Sequence, residues 1–226
     1  MQISAVIFDY GCVLSLAPQE KDFEPLWNAL GIDAKAFQSF YWRNREAYDL
    51  DVLDGTAFWQ EIVREAGSPN SPDLIQKLAD LDCHLWSHPH PIMVEWVRSL
   101  KQRGLKTAVL SNMPRMVGDC LRHKVRWLEL FDYLCFSGEL KIGKPNPAIY
   151  RTCLDALRVT AGQALFIDDR EINVQAALRV GMPALLFESV EQLRHDLKPF
   201  GLAPTLANAL TPAGSQSQNS VGNPSC

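Results

Sequence analysis

No stretch of this chain approaches the roughly 20 consecutive apolar residues that a membrane-spanning helix needs. The N-terminus has no basic segment before its short apolar run ISAVIF, so no secretory leader is expected, and the expected compartment is the cytoplasm. Excess positive charge is missing too. Against 26 Asp and Glu stand 22 Lys and Arg, for a formal net charge of -4, and the densest basic run, RHKVRW at 122–127, is short. Nucleic-acid partners need a clustered basic surface, so neither nucleic acid nor membrane is an expected partner. Pairing signals among the cysteines are also absent. The six, at positions 12, 83, 120, 135, 153 and 226, form no CxxC and keep no regular spacing. They read as reduced, mostly buried small hydrophobes. No internal repeat occurs, and oligomeric state is left open.

What the chain does contain is an ordinary globular composition. Of 226 residues, 47% are hydrophobic and 21% charged, enough for a sizeable core in one domain, or one domain carrying an insertion. Residues 3–8 alternate too little for a half-exposed strand and read as one buried on both faces, as in a parallel sheet. From about 18 to 87 the apolar residues recur at helical spacing, in FEPLWNAL, AFQSFYWRNREAY, TAFWQEIVREAG and DLIQKLADLDCHLW. After SHPHP, helices and strands alternate: IMVEWVRSLKQRG then KTAVL, a helical stretch at 115–129 then YLCFS, PAIYRTCLDAL then ALFI, EINVQAALRVG then PALLF, and a last helix, VEQLRHDL. This order predicts a doubly wound parallel α/β core over 1–14 and 90–203, with an all-helical cap inserted at 15–89. The tail 204–226 has no periodicity and is expected to be disordered.

In open parallel sheets, ligands bind beyond the carboxyl ends of the strands. Polar residues gather there: Asp9 after the first strand, Ser111 and Asn112 after the second, Lys144 past the third, Asp168 and Asp169 after the fourth. Hard oxygen donors without His or Cys favour Mg²⁺, which also bridges to phosphate oxygens. Lys144 precedes Asn146, a good N-cap, and Pro147, a good first helical residue, so it is expected near a helix N-terminus that favours an anion. Together these groups point to a carboxylate nucleophile, a divalent metal and a phosphoryl group.

In four motifs the chain resembles the haloacid dehalogenase (HAD) superfamily: IFDYGCVL, VLSNMP, GKPNPAIY and LFIDDREIN, in that order. The resemblance spans roughly residues 3–190 and implies a Rossmann-like core with a type I helical cap. It implies that Asp9 is the nucleophile of an aspartyl-phosphate, that Ser111 and Asn112 bind the phosphoryl group and that Lys144 balances charge. Asp9, the backbone carbonyl of Gly11, Asp168 and Asp169 would hold Mg²⁺, with Asn173 steadying that loop. HAD phosphatases usually carry a second Asp where this chain has Gly11, serving as general acid and base. Some members with glycine there cleave sugar 1-phosphates, whose leaving group needs less protonation.

The expected activity is therefore a Mg²⁺-dependent phosphatase acting on a small phosphorylated metabolite. Two alternatives stand beside it: a 2-haloacid dehalogenase, whose halide leaves unprotonated, and a catalytically silent HAD-fold binding protein. In the cap, Phe37, Tyr41 and Tyr48 read as packing, while Arg43 and Arg45 are candidate substrate-binding cations. His84 and His88 have zinc-like spacing, but Pro89 and Pro91 interrupt the helix and set that reading aside. Cys12 reads as buried filler.

Overall fold

In the computed structural model, which describes residues 2–203, five short strands form one parallel sheet. β1 (Ala5–Phe8), β2 (Lys106–Ser111), β3 (Tyr133–Phe136), β4 (Ala164–Asp168) and β5 (Ala184–Leu186) lie in the order β3-β2-β1-β4-β5. β1 is central and buried throughout, so its sequence AVIF has no polar position. Its alternate side chains serve opposite faces: Val6 and Phe8 join one apolar cluster with Trp96 and Leu193, Ala5 and Ile7 another with Ile149 and Ala177. Burial on both faces is what an uninterrupted apolar strand requires. The doubly wound parallel α/β core expected above is present.

Helices α1 (Glu24–Leu30), α2 (Ala34–Arg43), α3 (Arg45–Asp49), α4 (Gly55–Glu65) and α5 (Pro72–Leu85) occupy the chain between β1 and α6 (Pro91–Gln102). Their starts are written locally. Asp33, Asp54 and Ser71 accept hydrogen bonds from the backbone of α2, α4 and α5, and Pro72 fills the first turn of α5. A lone bridge between Ser15 and Pro89 closes the base of this segment. Beyond β2, α7 (Arg115–Lys124) leads to β3, α8 (Ser137–Leu140) and α9 (Pro147–Leu157) to β4, and α10 (Glu171–Arg179) to β5, before α11 (Val190–Asp196). The chain leaves β1 towards β3 and then crosses back to β4, so the carboxyl ends of β1 and β4 mark the switch point where such sheets bind ligands.

Three expectations need correction or qualification. The helix read through AFQSFYWRNREAY is broken at Asn44, whose backbone leaves the helical region (φ -108°, ψ 16°) and whose amide donates to Glu61 at 2.9 Å. The cysteines are not all reduced: Cys83 on α5 and Cys120 on α7 form a disulfide, because packing of these helices brings their Cα atoms to 6.2 Å. Spacing along the chain cannot reveal such a pair. Cys135 and Cys153 are buried and free, as read. Cys12 is only partly buried and has a positive φ of 57°. The tail 204–226 lies outside the described residues. Among the described residues, no helix is long and apolar enough to cross a membrane.

Candidate active site

The sheet register determines which side chains meet. Phe8 pairs with Val109 on one side and Ile167 on the other, so the next residues, Asp9 and Asp168, emerge side by side at the switch point. The Asp9 N–H donates to the Ile167 carbonyl at 2.8 Å, which holds the acid against the sheet edge. Lys144 Nζ reaches both acids, at 2.8 Å from Asp9 Oδ1 and 2.6 Å from Asp168 Oδ2. Asp9 Oδ1 also accepts from the Tyr10 N–H at 2.7 Å; Oδ2 takes part in neither contact. Asp168 Oδ1 accepts from Asn173 Nδ2 and from the Arg170 N–H, each at 2.9 Å.

The loop carrying Lys144 is clamped by Asn112. Its Oδ1 accepts from the Lys144 N–H at 2.7 Å and its Nδ2 donates to the Lys144 carbonyl at 2.9 Å. A Cβ on Gly143 would stand 2.9 Å from both Asn112 Oδ1 and Leu50 Cδ2, so this close approach requires glycine. Asn146 accepts from the Ala148 N–H at 2.9 Å and starts α9 with Pro147 in its first turn, as the sequence implied.

Asp9, Asp168 and Asp169 each offer a carboxylate oxygen within 4.8 Å of the others. Burial pushes the Asp9 carboxyl up to about 6 even though Lys144 pulls it down. Burial, and then the charges of Asp9 and Asp168, push Asp169 up to about 7. Burial opposes the charge on Lys144, but Asp168 and Asp9 outweigh it and raise its pKa. Three carboxylates facing one ammonium leave a surplus of negative charge. A hard dication fits that donor set, because it neutralises the surplus and prefers oxygen ligands. Asp9, Asp168 and Asp169 are the residues that would hold it, and Gly11 lines the cavity next to them in the chain.

Asp9, Lys144 and Asp169 line a cavity of about 930 Å³ roofed by α2, α3 and the residue after α5. Ser111 is buried at the end of β2 and lines it; Gly11, Asn112 and Arg45 line it as well. Arg43 does not. It is exposed, pairs with Glu65 at 2.7 Å and lies against the Phe40 ring, so its assignment to substrate is corrected. Positions 43 and 45 would point to different sides of any helix, and the break at Asn44 turns Arg45 inward. There Arg45 Nε donates to Asp49 Oδ1 at 2.7 Å, and the guanidinium lies 5.1–5.8 Å from the rings of Tyr41, Trp42, Tyr48 and Trp86. Trp42, Glu46, Asp49 and Trp86 also line the cavity and were missed from sequence. Their only signal was proximity to the aromatic run. His84 and His88 meet edge to face, and among the described residues they belong to no metal-holding group.

Comparison with known proteins finds related chains and folds. A family model described as haloacid dehalogenase-like hydrolase matches residues 3–181. A phosphatase of Mycobacterium tuberculosis is 27% identical over 202 residues, covering 86% of this chain and 91% of that protein. A sesquiterpene phosphatase of Aspergillus oryzae is 31% identical over 181 residues, covering 80% and 88%. Among solved structures, a HAD family enzyme of Bacteroides thetaiotaomicron in its magnesium complex gives a TM-score of 0.72 at 18% identity, covering 88% of this chain and 100% of that one. It has also been solved with magnesium and inorganic phosphate. An L-2-haloacid dehalogenase of Xanthobacter autotrophicus gives 0.63 at 20% identity, covering 90% and 85%.

Proposed function

This chain belongs to the haloacid dehalogenase-like hydrolases, and from that premise we propose that it is a Mg²⁺-dependent phosphatase of small phosphorylated metabolites, sugar phosphates among them. The observation that carries this reading is the charge arrangement at the switch point. Lys144 bridges Asp9 and Asp168, while Asp169 stands within 4.8 Å and, among the described residues, has no cation paired to it. The phosphatase names of the two relatives and the magnesium and phosphate bound by the Bacteroides enzyme support the same reading.

In this mechanism Asp9 attacks phosphorus and becomes an aspartyl-phosphate. Lys144 and the Ser111 hydroxyl hold the phosphoryl oxygens, and Asn112 keeps the Lys144 loop in place. Bound Mg²⁺ supplies charge neutralisation for nucleophile and phosphoryl group together. Asn173 orients Asp168 through its 2.9 Å hydrogen bond. Residues 1–14 and 90–203 serve as the catalytic core, and 15–89 as a cap that contributes Arg45 to the substrate side. A dehalogenase would use the same Asp9 on carbon without a metal, and would leave Asp169 an uncompensated charge.

A release assay over phosphorylated metabolites tests the proposal, with Mg²⁺ or with EDTA. Phosphate release that requires Mg²⁺ and is abolished in Asp9→Asn is the expected result. Release that survives EDTA removes the metal. Chloride release from 2-chloropropionate without phosphatase activity installs the dehalogenase instead.

A further inference from the structure

Glycine at position 11 has no proton to give a leaving group. Yet the cavity contains two carboxylates outside the metal cluster, Glu46 and Asp49, both on α3. Glu46 is exposed, whereas the Asp49 side chain is 16% exposed and held in place. The Asp49 carbonyl accepts from Ser137 Oγ of the core, and Oδ1 accepts from Arg45 Nε. Oδ2 has no hydrogen-bond partner among the described residues. The next residue, Leu50, packs against Gly143, directly before the lysine that bridges Asp9 and Asp168. Asp49 is thus tied to the loop that serves the phosphoryl group, with one oxygen uncommitted and the same cavity in front of it.

We propose that Asp49 is the acid–base residue of this enzyme, doing from the cap what residue 11 cannot do from the core. The inference rests on the phosphatase reading above. In the first half-reaction an Asp9 oxygen bonds to phosphorus as the ester P–O bond breaks. The electron pair of that bond stays on the ester oxygen, which takes the proton of the Asp49 carboxyl. In the second, a water oxygen bonds to phosphorus and its proton passes to the Asp49 carboxylate. The bond between Asp9 and phosphorus breaks, and its electron pair returns to Asp9. Asp49 then stands protonated for the next cycle.

Its surroundings suit both roles. Burial pushes Asp49 up to about 6 against the pull of Arg45, and the charges of Asp82 and Asp9 add to the rise. A carboxyl titrating near neutrality gives and takes a proton with comparable ease. Glu46, on the same helix, is the remaining acid at this part of the cavity.

The test compares p-nitrophenyl phosphate with a primary alkyl phosphate, with Mg²⁺ present, in wild type, Asp49→Asn, Glu46→Gln and Asp49→Asn/Gly11→Asp. Asp49→Asn is expected to lower alkyl turnover by about 10²–10³-fold. On the aryl ester it should keep a burst of one p-nitrophenol per site at a rate within tenfold of wild type, followed by slow turnover. It should also lose the acidic limb of the pH profile. Glu46→Gln should keep the wild-type leaving-group dependence. A Cβ at residue 11 would stand 3.5 Å from Trp86, an ordinary contact, so Gly11→Asp can be built and should recover at least tenfold on the alkyl ester. Equal losses on both esters without a burst, or no loss on either, overturn the assignment while leaving the phosphatase intact. Phosphate release from neither ester by wild type overturns the phosphatase reading and this inference together.

Discussion

Asp169 sits beside two other carboxylates while Lys144 pairs with those two, so its charge is less compensated than theirs. Asp169→Asn should therefore raise the melting temperature of the metal-free protein while weakening Mg²⁺ binding, which calorimetry with and without metal will show. The pH dependence follows from the same groups. Asp9 and Asp169 have pKa values of about 6 and 7 when folded, above their ordinary value of 3.8, so between pH 4 and 7 the folded chain binds more protons than the unfolded. Stability of the metal-free protein should thus fall as pH rises through that window, and saturating Mg²⁺ should flatten the fall. An unchanged melting temperature from pH 4.5 to 7.5 without metal would refute it. Asp9, Ser111, Asn112, Asp168 and Asp169 were legible as a group because strand ends in a parallel sheet converge, and Lys144 was legible from the N-cap and Pro that follow it at the start of α9. Arg43 and Asp49 were not. The helix is broken at Asn44 between them, where the amide donates to Glu61 of another helix, a contact that spacing along the chain does not reveal.

The loop between α8 and α9 shows how tightly one element can constrain another. Asn112 hydrogen bonds both the N–H and the carbonyl of Lys144, and Leu50, just after α3, crowds Gly143. Gly143→Ala must displace one of these neighbours. The cost should be about 1–3 kcal/mol of stability, read by denaturant unfolding, with a larger fall in turnover than in substrate binding. A mutant equal to wild type in both would show that the loop yields freely. Strand and helix order was legible from apolar period alone, since β1 is apolar throughout, β4 is apolar up to its final Asp168, and the helices between them are amphipathic. The fold of 115–129 was only half legible: α7 stops at Lys124, and residues 126–130 turn as a 3-10 helix.

At the scale of the whole molecule, the Cys83–Cys120 bridge joins α5 to α7 across 37 positions. Closing a loop of that length stabilises by about 4 kcal/mol in the chain-entropy account, so Cys83→Ala/Cys120→Ala, or added dithiothreitol, should lower the melting temperature measurably. Equal melting curves in both redox conditions would mean the bridge contributes nothing. The position of β1 has a consequence in time. Of the five strands of this sheet the earliest in the chain is the central one, and its partners arrive late: Ala5 pairs with Lys106 and with Ala164. At about 5–20 residues per second, β1 waits roughly 5–20 s for β2 and roughly 8–32 s for β4. Its apolar side chains are open to wrong partners throughout that interval, and Asp9 meets Asp168 only when synthesis has passed β4. Nascent chains arrested shortly after residue 140 should accordingly be sensitive to protease across residues 5–14, and chains arrested late enough for β4 to clear the ribosome should be protected there.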